Sequence, residues 1–448
     1  MGKYFGTDGI RGVINETLDS ILAYKAGSAA ATVLAEHGHE RPLVMIAKDT
    51  RISSDMLEAA MTAGLCSAGA DVTLLGVLPT PAAAYLTVRF GADMGVVISA
   101  SHNPFEHNGI KMFGKDGYKL SDALEERIES LIDEETEPIR MTGADLGRIS
   151  SDHRYWMDEY VKYLASMSQN RYEGKIAVDC ANGAASETAR ALFASLGVDF
   201  DVYSDAPDGV NINDGCGSTH IANLQEIVKT GRYDIGFSFD GDADRCIVVD
   251  EKGAAVDGDM MLAVFARAMR AAGELKGGGA VGTVVSNSGM EVYARENRFL
   301  FHRSAVGDRN VLEMMREKGC NLGGESSGHL IFTDDATTGD GQLTAVKFLN
   351  VLTGSGSPVS LLTGGIPSFP QVMPGYKLTG GAQQRDTIME DPRLLAEIEK
   401  QQNLLAGEGR VLIRPSGTEP LIRVLVEAKT EQIAQKIADD FIDLMKSL

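Results

Sequence analysis

Several features that define specialised classes of protein are scarce or missing in this chain of 448 residues. Its five cysteines are odd in number and widely scattered, so they predict neither a disulfide framework nor a zinc site, and a reducing, cytoplasmic setting fits this pattern. No run of about 18 apolar residues occurs, which argues against a membrane span. The first residues lack a basic stretch followed by an apolar core, so we expect no signal peptide.

Positive charge is also in short supply. The chain has 42 Lys and Arg residues against 63 Asp and Glu residues, a formal net charge of -21. So acidic a surface would repel a polyanion, and we therefore expect no nucleic-acid partner. A small anionic substrate would need the few basic side chains to be concentrated locally. Hydrophobic residues at 44% and charged residues at 23% are ordinary for a globular protein, which excludes a disordered or fibrous chain.

The chain repeats one pattern three times: an apolar strand, a turn, a segment of helical periodicity and a second strand. The predicted segments are 43–47, 53–68 and 71–75; 175–179, 185–196 and 198–203; and 280–285, 289–297 and 299–302. Gly69 and Gly197 follow the first two helices, as expected of left-handed caps. Alternating strands and helices predict sheets that are largely parallel and covered by helices. The fold class is therefore α/β, with three related domains.

The last part of the chain has a different pattern. Residues 354–371 are rich in glycine and proline and predict a linker. Beyond it, strands at 411–413 and 421–426 precede a helix whose apolar residues recur at fourfold spacing: Ile433, Ile437, Phe441 and Met445. This predicts a small α+β fourth domain. A weaker boundary falls in the acidic segment 133–137, and the predicted domains are 1–150, 151–253, 254–366 and 367–448.

The first motif with reactive chemistry is Ile-Ser-Ala-Ser-His-Asn-Pro at 98–104, with Lys111 shortly after it. An apolar, β-branched run leads directly into this polar turn, and α/β folds place reactive groups in loops at strand ends. Ser101 is the candidate nucleophile. A turn that only bonds its own backbone is the alternative. A Ser-His-Asp hydrolase fits less well, because Ser101 and His102 are neighbours and no Gly-x-Ser-x-Gly elbow is present.

The second motif is Asp-Gly-Asp-Ala-Asp-Arg at 240–245, directly after an apolar strand. Its carboxylates, Asp240, Asp242 and Asp244, would repel one another in a dry site unless a cation joined them. Hard oxygen ligands around a small divalent ion suit Mg²⁺. A calcium EF-hand loop is excluded, because Arg245 stands where that loop needs glycine and a strand precedes it. A solvated acidic turn is the remaining alternative.

The third motif, Arg-Pro-Ser-Gly-Thr-Glu-Pro at 414–420, is followed by Arg423. Amides around a glycine, two hydroxyls and two guanidinium groups predict a concave cradle for an anion. Guanidinium forks match phosphate better than an ammonium does. A proline-capped hairpin would explain the turn, but not this concentration of positive charge in an acidic chain.

Two further glycine-containing stretches are weaker signals. Gly-Gly-Glu-Ser-Ser-Gly-His at 323–329 brings together side chains that could bind the hydroxyl or amino groups of a polar ligand, although such loops are common at strand ends. Phe-Gly-Thr-Asp-Gly-Ile-Arg-Gly at 5–12 contains Arg11, which could face a phosphate or pair with a surface acid.

The four motifs at 98–104, 240–245, 323–329 and 414–420 are specific as a set and in this order along the chain. With them the chain resembles the α-D-phosphohexomutase superfamily over essentially its whole length. Supporting stretches are 5–12, 211–213, 216–220, 306–309 and 337–341. Within that superfamily the chain is similar to the branch that acts on glucosamine phosphates. Ser99 departs from the threonine of many superfamily members, and Ser326 from the glutamine that is frequent in this branch.

The resemblance implies four domains around a central cleft, each supplying one loop. It implies that Ser101 is a phosphoserine and that Ser101, Asp240, Asp242 and Asp244 hold one Mg²⁺. The implied catalytic residues are Ser101, Lys111, His329, Arg11 and Arg245. The implied sugar-binding residues are Glu325 and Ser327, and the implied phosphate-binding residues are Arg414, Ser416, Gly417, Thr418 and Arg423.

The reaction implied is the interconversion of glucosamine 6-phosphate and glucosamine 1-phosphate through a 1,6-bisphosphate, which feeds UDP-N-acetylglucosamine and cell-wall synthesis. Glucosamine or glucose 1,6-bisphosphate is the implied activator. A glucose or mannose phosphate mutase is the alternative, followed by a sugar phosphatase and a non-catalytic sugar-phosphate sensor. Two questions stay open: whether the chain forms a homodimer, and whether a kinase first phosphorylates Ser101.

Overall fold

Strands and helices alternate along the chain. The computed structural model describes residues 2–6, 8–39, 41–133, 140–405, 407, 409–416 and 421–448. In chain order, the strands are β1 (Phe5–Gly6), β2 (Gly9–Val13), β3 (Leu43–Lys48), β4 (Asp71–Val77), β5 (Met94–Ile98), β6 (His107–Gly114), β7 (Ile149–Ser151), β8 (Lys175–Asp179), β9 (Asp199–Tyr203), β10 (Ile235–Phe239), β11 (Cys246–Asp250), β12 (Ala255–Val256), β13 (Gly279–Thr283), β14 (Leu300–Ser304), β15 (Leu322–Gly324), β16 (Leu330–Phe332), β17 (Gln371–Val372), β18 (Gly375–Lys377), β19 (Arg410–Pro415) and β20 (Leu421–Glu427).

The helices lie between these strands and after the last of them. They are α1 (Ser20–Glu36), α2 (Ser54–Ser67), α3 (Thr80–Phe90), α4 (Asp122–Asp133), α5 (His153–Ser166), α6 (Ala185–Ser195), α7 (Ala222–Lys229), α8 (Gly258–Ala272), α9 (Gly289–Glu296), α10 (Asp308–Lys318), α11 (Gly341–Ser355), α12 (Val359–Thr363), α13 (Gly381–Met389), α14 (Pro392–Leu404) and α15 (Glu431–Lys446). None of the helices among the described residues is both long and apolar enough to cross a membrane.

The chain divides into two compact units. The first comprises Met1–Thr283 and Ser304–Gly364, and the second comprises Val284–Arg303 and Gly365–Leu448.

The first sheet of the larger unit has seven strands in the order β1-β2-β6-β5-β3-β4-β7. β3 pairs in parallel with both β4 and β5, while β6 pairs antiparallel with β5 and β2. All five residues of β5 are buried, as expected of a strand in a sheet covered on both faces. The carboxyl ends of β3 and β5 are adjacent, which brings the loops that follow these strands together.

The other sheets of this unit are also mixed. In the second, the order is β12-β11-β10-β8-β9, with β8 parallel to β9 and β10 and with β11 antiparallel to β10. In the third, β15 pairs in parallel with β13 and antiparallel with β16. The predicted α/β class with mixed, largely parallel sheets is therefore confirmed for this part of the chain.

The second unit contains an antiparallel sheet in which β20 is central. β20 pairs with β19 along one edge and with β17 and β18 along the other. Helices α14 and α15 contribute to its apolar core, in which Phe441 and Met445 are fully buried. The α+β prediction for the last block is confirmed.

Two details of the sequence prediction differ from the structure. The boundary between the two units, after Gly364, lies within the predicted linker at 354–371. Part of this segment is helical, however, since α11 continues to Ser355 and Pro358 caps α12, which buries Val359 and Leu362. Ile433 belongs to the apolar stripe of α15 by spacing, but it lies in the first turn of the helix and is 44% exposed. The predicted boundary at 133–137 falls mostly outside the described residues.

Candidate active site

Ser101 lies in the loop that leaves the buried end of β5. It is buried, and its backbone adopts φ 54°, a left-handed conformation that costs energy for any residue with a Cβ. Its hydroxyl donates to Oδ2 of Asp240 at 2.5 Å, although the two residues follow strands of different sheets. Burial, with the nearby Arg245 and Arg11, lowers the pKa of the neighbouring His102 to about 4, so this ring is neutral at physiological pH.

Three buried aspartates follow β10 at alternate positions. One oxygen from each of Asp240, Asp242 and Asp244 lies within 4.8 Å of the others. Burial, with repulsion from Asp244 and Asp242, raises the pKa of Asp240 well above its usual range. Burial also acts to raise the pKa of Asp244, but Lys111 and His329 outweigh it, and the net pKa is far below the usual range.

The hydrogen bonds of this triad leave oxygens available to a metal. Oδ2 of Asp242 accepts from the Thr80 hydroxyl at 2.6 Å and from the Lys111 ammonium at 2.7 Å. Oδ1 of Asp242 and Oδ1 of Asp244 are buried and have no hydrogen-bond partner among the described residues. Unpaired carboxylate oxygens in a buried site are costly, and a hard divalent cation would satisfy them. The residues present therefore fit a metal ion.

Lys111 on β6 is the central cation of the site. Its ammonium lies 2.7 Å from Asp242, 3.1 Å from Asp8 and 3.6 Å from Asp244. Burial acts to lower the pKa of Lys111, but these carboxylates outweigh burial and raise it, so the group keeps its proton. Asp8 also pairs with Arg11, which joins the amino-terminal motif to the same cluster.

His329 is held by two contacts on opposite sides of its ring. The backbone N–H of Gly339 donates to Nε2 at 3.1 Å, so this nitrogen carries the lone pair and Nδ1 carries the proton. Nδ1 faces Oδ2 of Asp244 at 3.6 Å. Burial acts to lower the pKa of His329, yet Asp244 and Asp308 outweigh it and the net shift is upward. A second proton on Nε2 would break the Gly339 contact.

The 323–329 loop joins β15 to β16 in the same unit. The Glu325 carboxylate accepts from the backbone N–H of Gly307 at 3.0 Å, which fixes its orientation. The Ser327 hydroxyl is buried and has no partner among the described residues, so it is available to a ligand. Gly328 has φ 90°, and a Cβ there would lie 2.2 Å from the Cys246 carbonyl; this loop therefore packs directly against the strand that follows the aspartates.

The arginines of the third motif belong to the second unit. Arg414 on β19 and Arg423 on β20 are direct partners across the antiparallel pair. Burial, with repulsion from Arg423, lowers the pKa of Arg414. Like charges opposite each other are unfavourable, and a bound anion would relieve the repulsion. Ser416 follows β19 directly, whereas Gly417 and Thr418 lie outside the described residues.

The structure thus brings together eight of the ten predicted residues of the larger unit, all except Glu325 and Ser327. Those in mutual contact or linked through shared partners are Ser101, Lys111, Arg11, Asp240, Asp242, Asp244, Arg245 and His329. The sequence analysis missed Asp49, Arg51, Thr80 and Asn213, which bond to these loops. Asp49 and Arg51 follow β3 directly, so a polar pair at a strand end was the signal that could have identified them.

Family models match nearly all of the chain. Residues 2–139 match phosphoglucomutase/phosphomannomutase alpha/beta/alpha domain I, 158–253 match domain II, 257–369 match domain III and 378–444 match the C-terminal domain. The predicted bounds 1–150, 151–253, 254–366 and 367–448 stay a prediction, because a matched range does not fix a domain end.

Curated relatives and solved structures agree with these matches. Phosphoglucosamine mutase of Caldanaerobacter subterraneus is 48% identical over 98% of this chain and 98% of its own. That of Acetivibrio thermocellus is 47% identical over 100% of this chain and 99% of its own. A phosphoglucomutase/phosphomannomutase family protein of Burkholderia thailandensis has a TM-score of 0.81 at 27% identity, over 98% of this chain and 97% of that one.

A more distant structure shares the fold. It is the N-acetylphosphoglucosamine mutase of Aspergillus fumigatus in complex with GlcNAc-6P and magnesium, with a TM-score of 0.66 at 18% identity. It covers 98% of this chain and 95% of its own.

Proposed function

The chain belongs to the phosphoglucomutase/phosphomannomutase family and, within it, to the phosphoglucosamine mutases, and we propose that it interconverts glucosamine 6-phosphate and glucosamine 1-phosphate. The observation that supports this proposal is the contact between the Ser101 hydroxyl and Asp240, in which a serine hydroxyl lies against a carboxylate triad that can bind a metal. We further propose that the product feeds UDP-N-acetylglucosamine and cell-wall synthesis.

The proposed cycle uses Ser101 as a carrier of one phosphoryl group. Phosphoserine 101 gives its phosphoryl group to a sugar hydroxyl: the P–Oγ bond breaks, a P–O bond to the sugar forms, and the hydroxyl proton replaces the phosphoryl group on Oγ. The resulting 1,6-bisphosphate turns over, and its other phosphate returns to Ser101 by the reverse step. We propose a 1,6-bisphosphate as the activator that first phosphorylates Ser101, with a kinase as the alternative.

The cationic side chains of the larger unit would handle charge and protons. Lys111 and His329 are the proposed proton-transfer residues, because both lie against the carboxylates of the aspartate triad. Arg11 and Arg245 would stabilise charge on the moving phosphoryl group, because guanidinium groups form strong charge-assisted hydrogen bonds with phosphate oxygens.

We propose Mg²⁺ as the metal, held by Asp240, Asp242, Asp244 and the phosphate on Ser101. Hard carboxylate oxygens favour Mg²⁺ over softer metals, and a protein of the same fold was solved with magnesium. When bound, the ion would neutralise negative charge on the transferred oxygens.

Substrate recognition is assigned to two further groups of residues. Glu325 and Ser327 would bind the sugar hydroxyls and amino group, since one is oriented by Gly307 and the other has an unpaired buried hydroxyl. The phosphate that is not reacting would be held by Arg414, Ser416, Gly417, Thr418 and Arg423.

The proposal is tested by assaying glucosamine 6-phosphate, glucose 1-phosphate and mannose 1-phosphate side by side, with intact mass measured on the same preparation. We expect one phosphate on Ser101 and the highest kcat/KM with glucosamine 6-phosphate. Higher kcat/KM with glucose or mannose phosphate would reassign the substrate. Continuous release of inorganic phosphate would indicate a phosphatase, and no turnover of any of the three would indicate a sensor.

A further inference from the structure

Arg51 is completely buried beneath the loop that carries Ser101. Arg51 comes shortly after β3 in the chain, and its guanidinium group donates to three backbone carbonyls of the Ser101 loop. The distances are 2.9 Å to Ser101, 2.8 Å to Asn103 and 2.5 Å to Pro104. A planar guanidinium fork with five N–H groups can make such a set of bonds, whereas an ammonium on a flexible stem cannot hold the same geometry.

Asp49 fixes this guanidinium group and reaches the same loop by a second route. Its Oδ2 accepts from Nε of Arg51 at 2.8 Å and from the Ser99 hydroxyl at 2.6 Å. The Ser99 hydroxyl in turn accepts from the backbone N–H of Ser101 at 3.0 Å. The Asp49–Arg51 pair therefore holds both polar backbone groups of Ser101: the carbonyl through Arg51, and the N–H through Ser99.

These bonds stabilise Ser101 in its left-handed backbone conformation. A left-handed conformation costs a residue with a Cβ on the order of 1–2 kcal/mol, and it persists where surrounding contacts determine it. Asn213, in the loop between β9 and α7, donates a further bond to the Ser101 carbonyl, at 3.0 Å. Gly241 of the aspartate loop allows this close approach, because a Cβ there would lie 2.6 Å from the same carbonyl oxygen.

Stability alone gives little reason for such an arrangement. A buried ion pair loses hydration, and well-packed apolar residues of similar volume often stabilise a fold equally well. The bonds of Arg51 and Asp49 instead converge on the one residue whose hydroxyl must face both the metal site and the substrate. Misplacement of a reacting group by about 1 Å can reduce turnover about 100-fold.

We infer that Asp49 and Arg51 are positioning residues for phosphoryl transfer: they hold the Ser101 peptide in the left-handed conformation that directs Oγ at Asp240. This inference rests on the proposed function, in which Ser101 carries the phosphoryl group. Both side chains are fully buried, so neither is exposed to a substrate. Their loss should therefore reduce the rate of transfer and leave substrate binding nearly unchanged.

The experiment compares Arg51→Lys and Ser99→Ala with the wild type and with Lys48→Met. Arg51→Lys keeps the charge and loses the fork, and Ser99→Ala removes only the link between Asp49 and the Ser101 N–H. Lys48→Met is the matched control, because Lys48 ends β3 directly before Asp49 and its side chain pairs with Glu58 at 2.5 Å and with Asp55 instead of the Ser101 loop. Each protein is assayed for kcat and KM with glucosamine 6-phosphate and for its thermal midpoint.

We expect kcat to fall about 10- to 100-fold in Arg51→Lys and less in Ser99→Ala, with KM changed less than about threefold in both. Phosphorylation of Ser101 by glucose 1,6-bisphosphate, followed by intact mass, should slow in parallel with kcat. Lys48→Met should lower the thermal midpoint and leave kcat near the wild-type value.

The inference is overturned if both loop variants keep the wild-type kcat, or if their losses lie in KM. It is also overturned if Lys48→Met, with the same loss of thermal midpoint, loses as much kcat as the two loop variants. The Asp49–Arg51 pair would then have only a structural role. If Arg51→Lys does not fold, Ser99→Ala decides the question, since it leaves the ion pair intact. Failure of the proposed function would give a different result: the wild-type protein itself would carry no phosphate and would not convert glucosamine 6-phosphate.

Discussion

The hydroxyl of Ser101 donates a hydrogen bond of 2.5 Å to Oδ2 of Asp240, across 139 residues of chain. Each residue follows a fully buried strand, and the two strands lie in different sheets. The contact therefore depends on how the two sheets pack. The proposed phosphorylation of Ser101 would remove this hydrogen bond and leave the same carboxylate oxygen available to a metal.

Replacing Ser101 by alanine should abolish conversion of glucosamine 6-phosphate and leave the chain without bound phosphate. The thermal midpoint should fall slightly, because the substitution leaves the buried Oδ2 of Asp240 without the hydroxyl that donates to it. Intact mass and a coupled assay measure the two effects. Ser166→Ala, on the exposed face of α5, is the control, and normal turnover by Ser101→Ala would rule out the carrier role.

Removing divalent cations with a chelator should abolish turnover, and Mg²⁺ should restore it. Mg²⁺ at about 100 times its Kd should also stabilise the wild type by about 3 kcal/mol, since an ion that binds only the folded state shifts the unfolding equilibrium. This stabilisation should raise the thermal midpoint of the wild type when Mg²⁺ is added, and the rise should be absent in Asp242→Asn. Asp214→Asn, an exposed acid of the same domain, should respond like the wild type; an equal rise in Asp242→Asn would contradict the triad as the metal site.

Arg414→Gln and Arg423→Gln should each raise KM for glucosamine 6-phosphate about 10-fold or more, because a charge-assisted hydrogen bond is worth about 1.5–3 kcal/mol. Each substitution should also raise the thermal midpoint of the unliganded protein slightly, since it removes a repulsive cross-strand pair. Arg385→Gln on α13 is the control. Unchanged KM in both cradle variants would remove the phosphate-binding assignment.

Stability should fall with rising pH through the titration of Asp340, the residue that caps α11. Burial raises its pKa from 3.8 to about 6, even though the Leu343 N–H and the Tyr160 hydroxyl donate to its carboxylate. The folded state therefore binds this proton more tightly than the unfolded state, and the stability it contributes below pH 4 is lost as pH rises to about 6. At about 1.4 kcal/mol for each pKa unit, the difference is about 3 kcal/mol.

Asp340→Asn isolates that contribution, because the amide does not titrate. Between pH 4.5 and pH 7.5 the thermal midpoint of this variant should rise relative to the wild type, whatever the constant effect of the altered hydrogen bonds. A difference in midpoint that does not depend on pH would show that Asp340 titrates near its ordinary value.

Glu427→Gln should destabilise the second unit. Glu427 is fully buried on β20 and accepts from Nε of Arg410 and from the backbone N–H of Ser288, which joins the two chain segments of this unit. Breaking a buried ion pair from one side costs about 3–5 kcal/mol. Thermal unfolding should show an earlier transition, whereas Glu431→Gln, exposed on α15, should unfold like the wild type.

Much of the fold was predictable because its signals are local. The first strand–helix–strand block was placed within a few residues, since burial of one helix face and of whole strands leaves a periodic pattern in the sequence. The prediction for 354–371 was incomplete because it, too, used only local signals. Glycine and proline there indicate a break, but the burial of Val359 and Leu362 stabilises a short helix that composition does not reveal.

The sequence alone was enough to propose the chemistry of the site, because each loop carries its candidate groups within a few consecutive residues. Ser101, the three aspartates and the arginines were all proposed in this way. Only the tertiary structure decided how these groups are held. Arg51 reaches the Ser101 carbonyl across 50 residues, and Thr80 reaches Asp242 across 162. A single hydrogen bond between distant strand ends leaves no periodic trace in the sequence, so its partners can be found only after the sheets have packed.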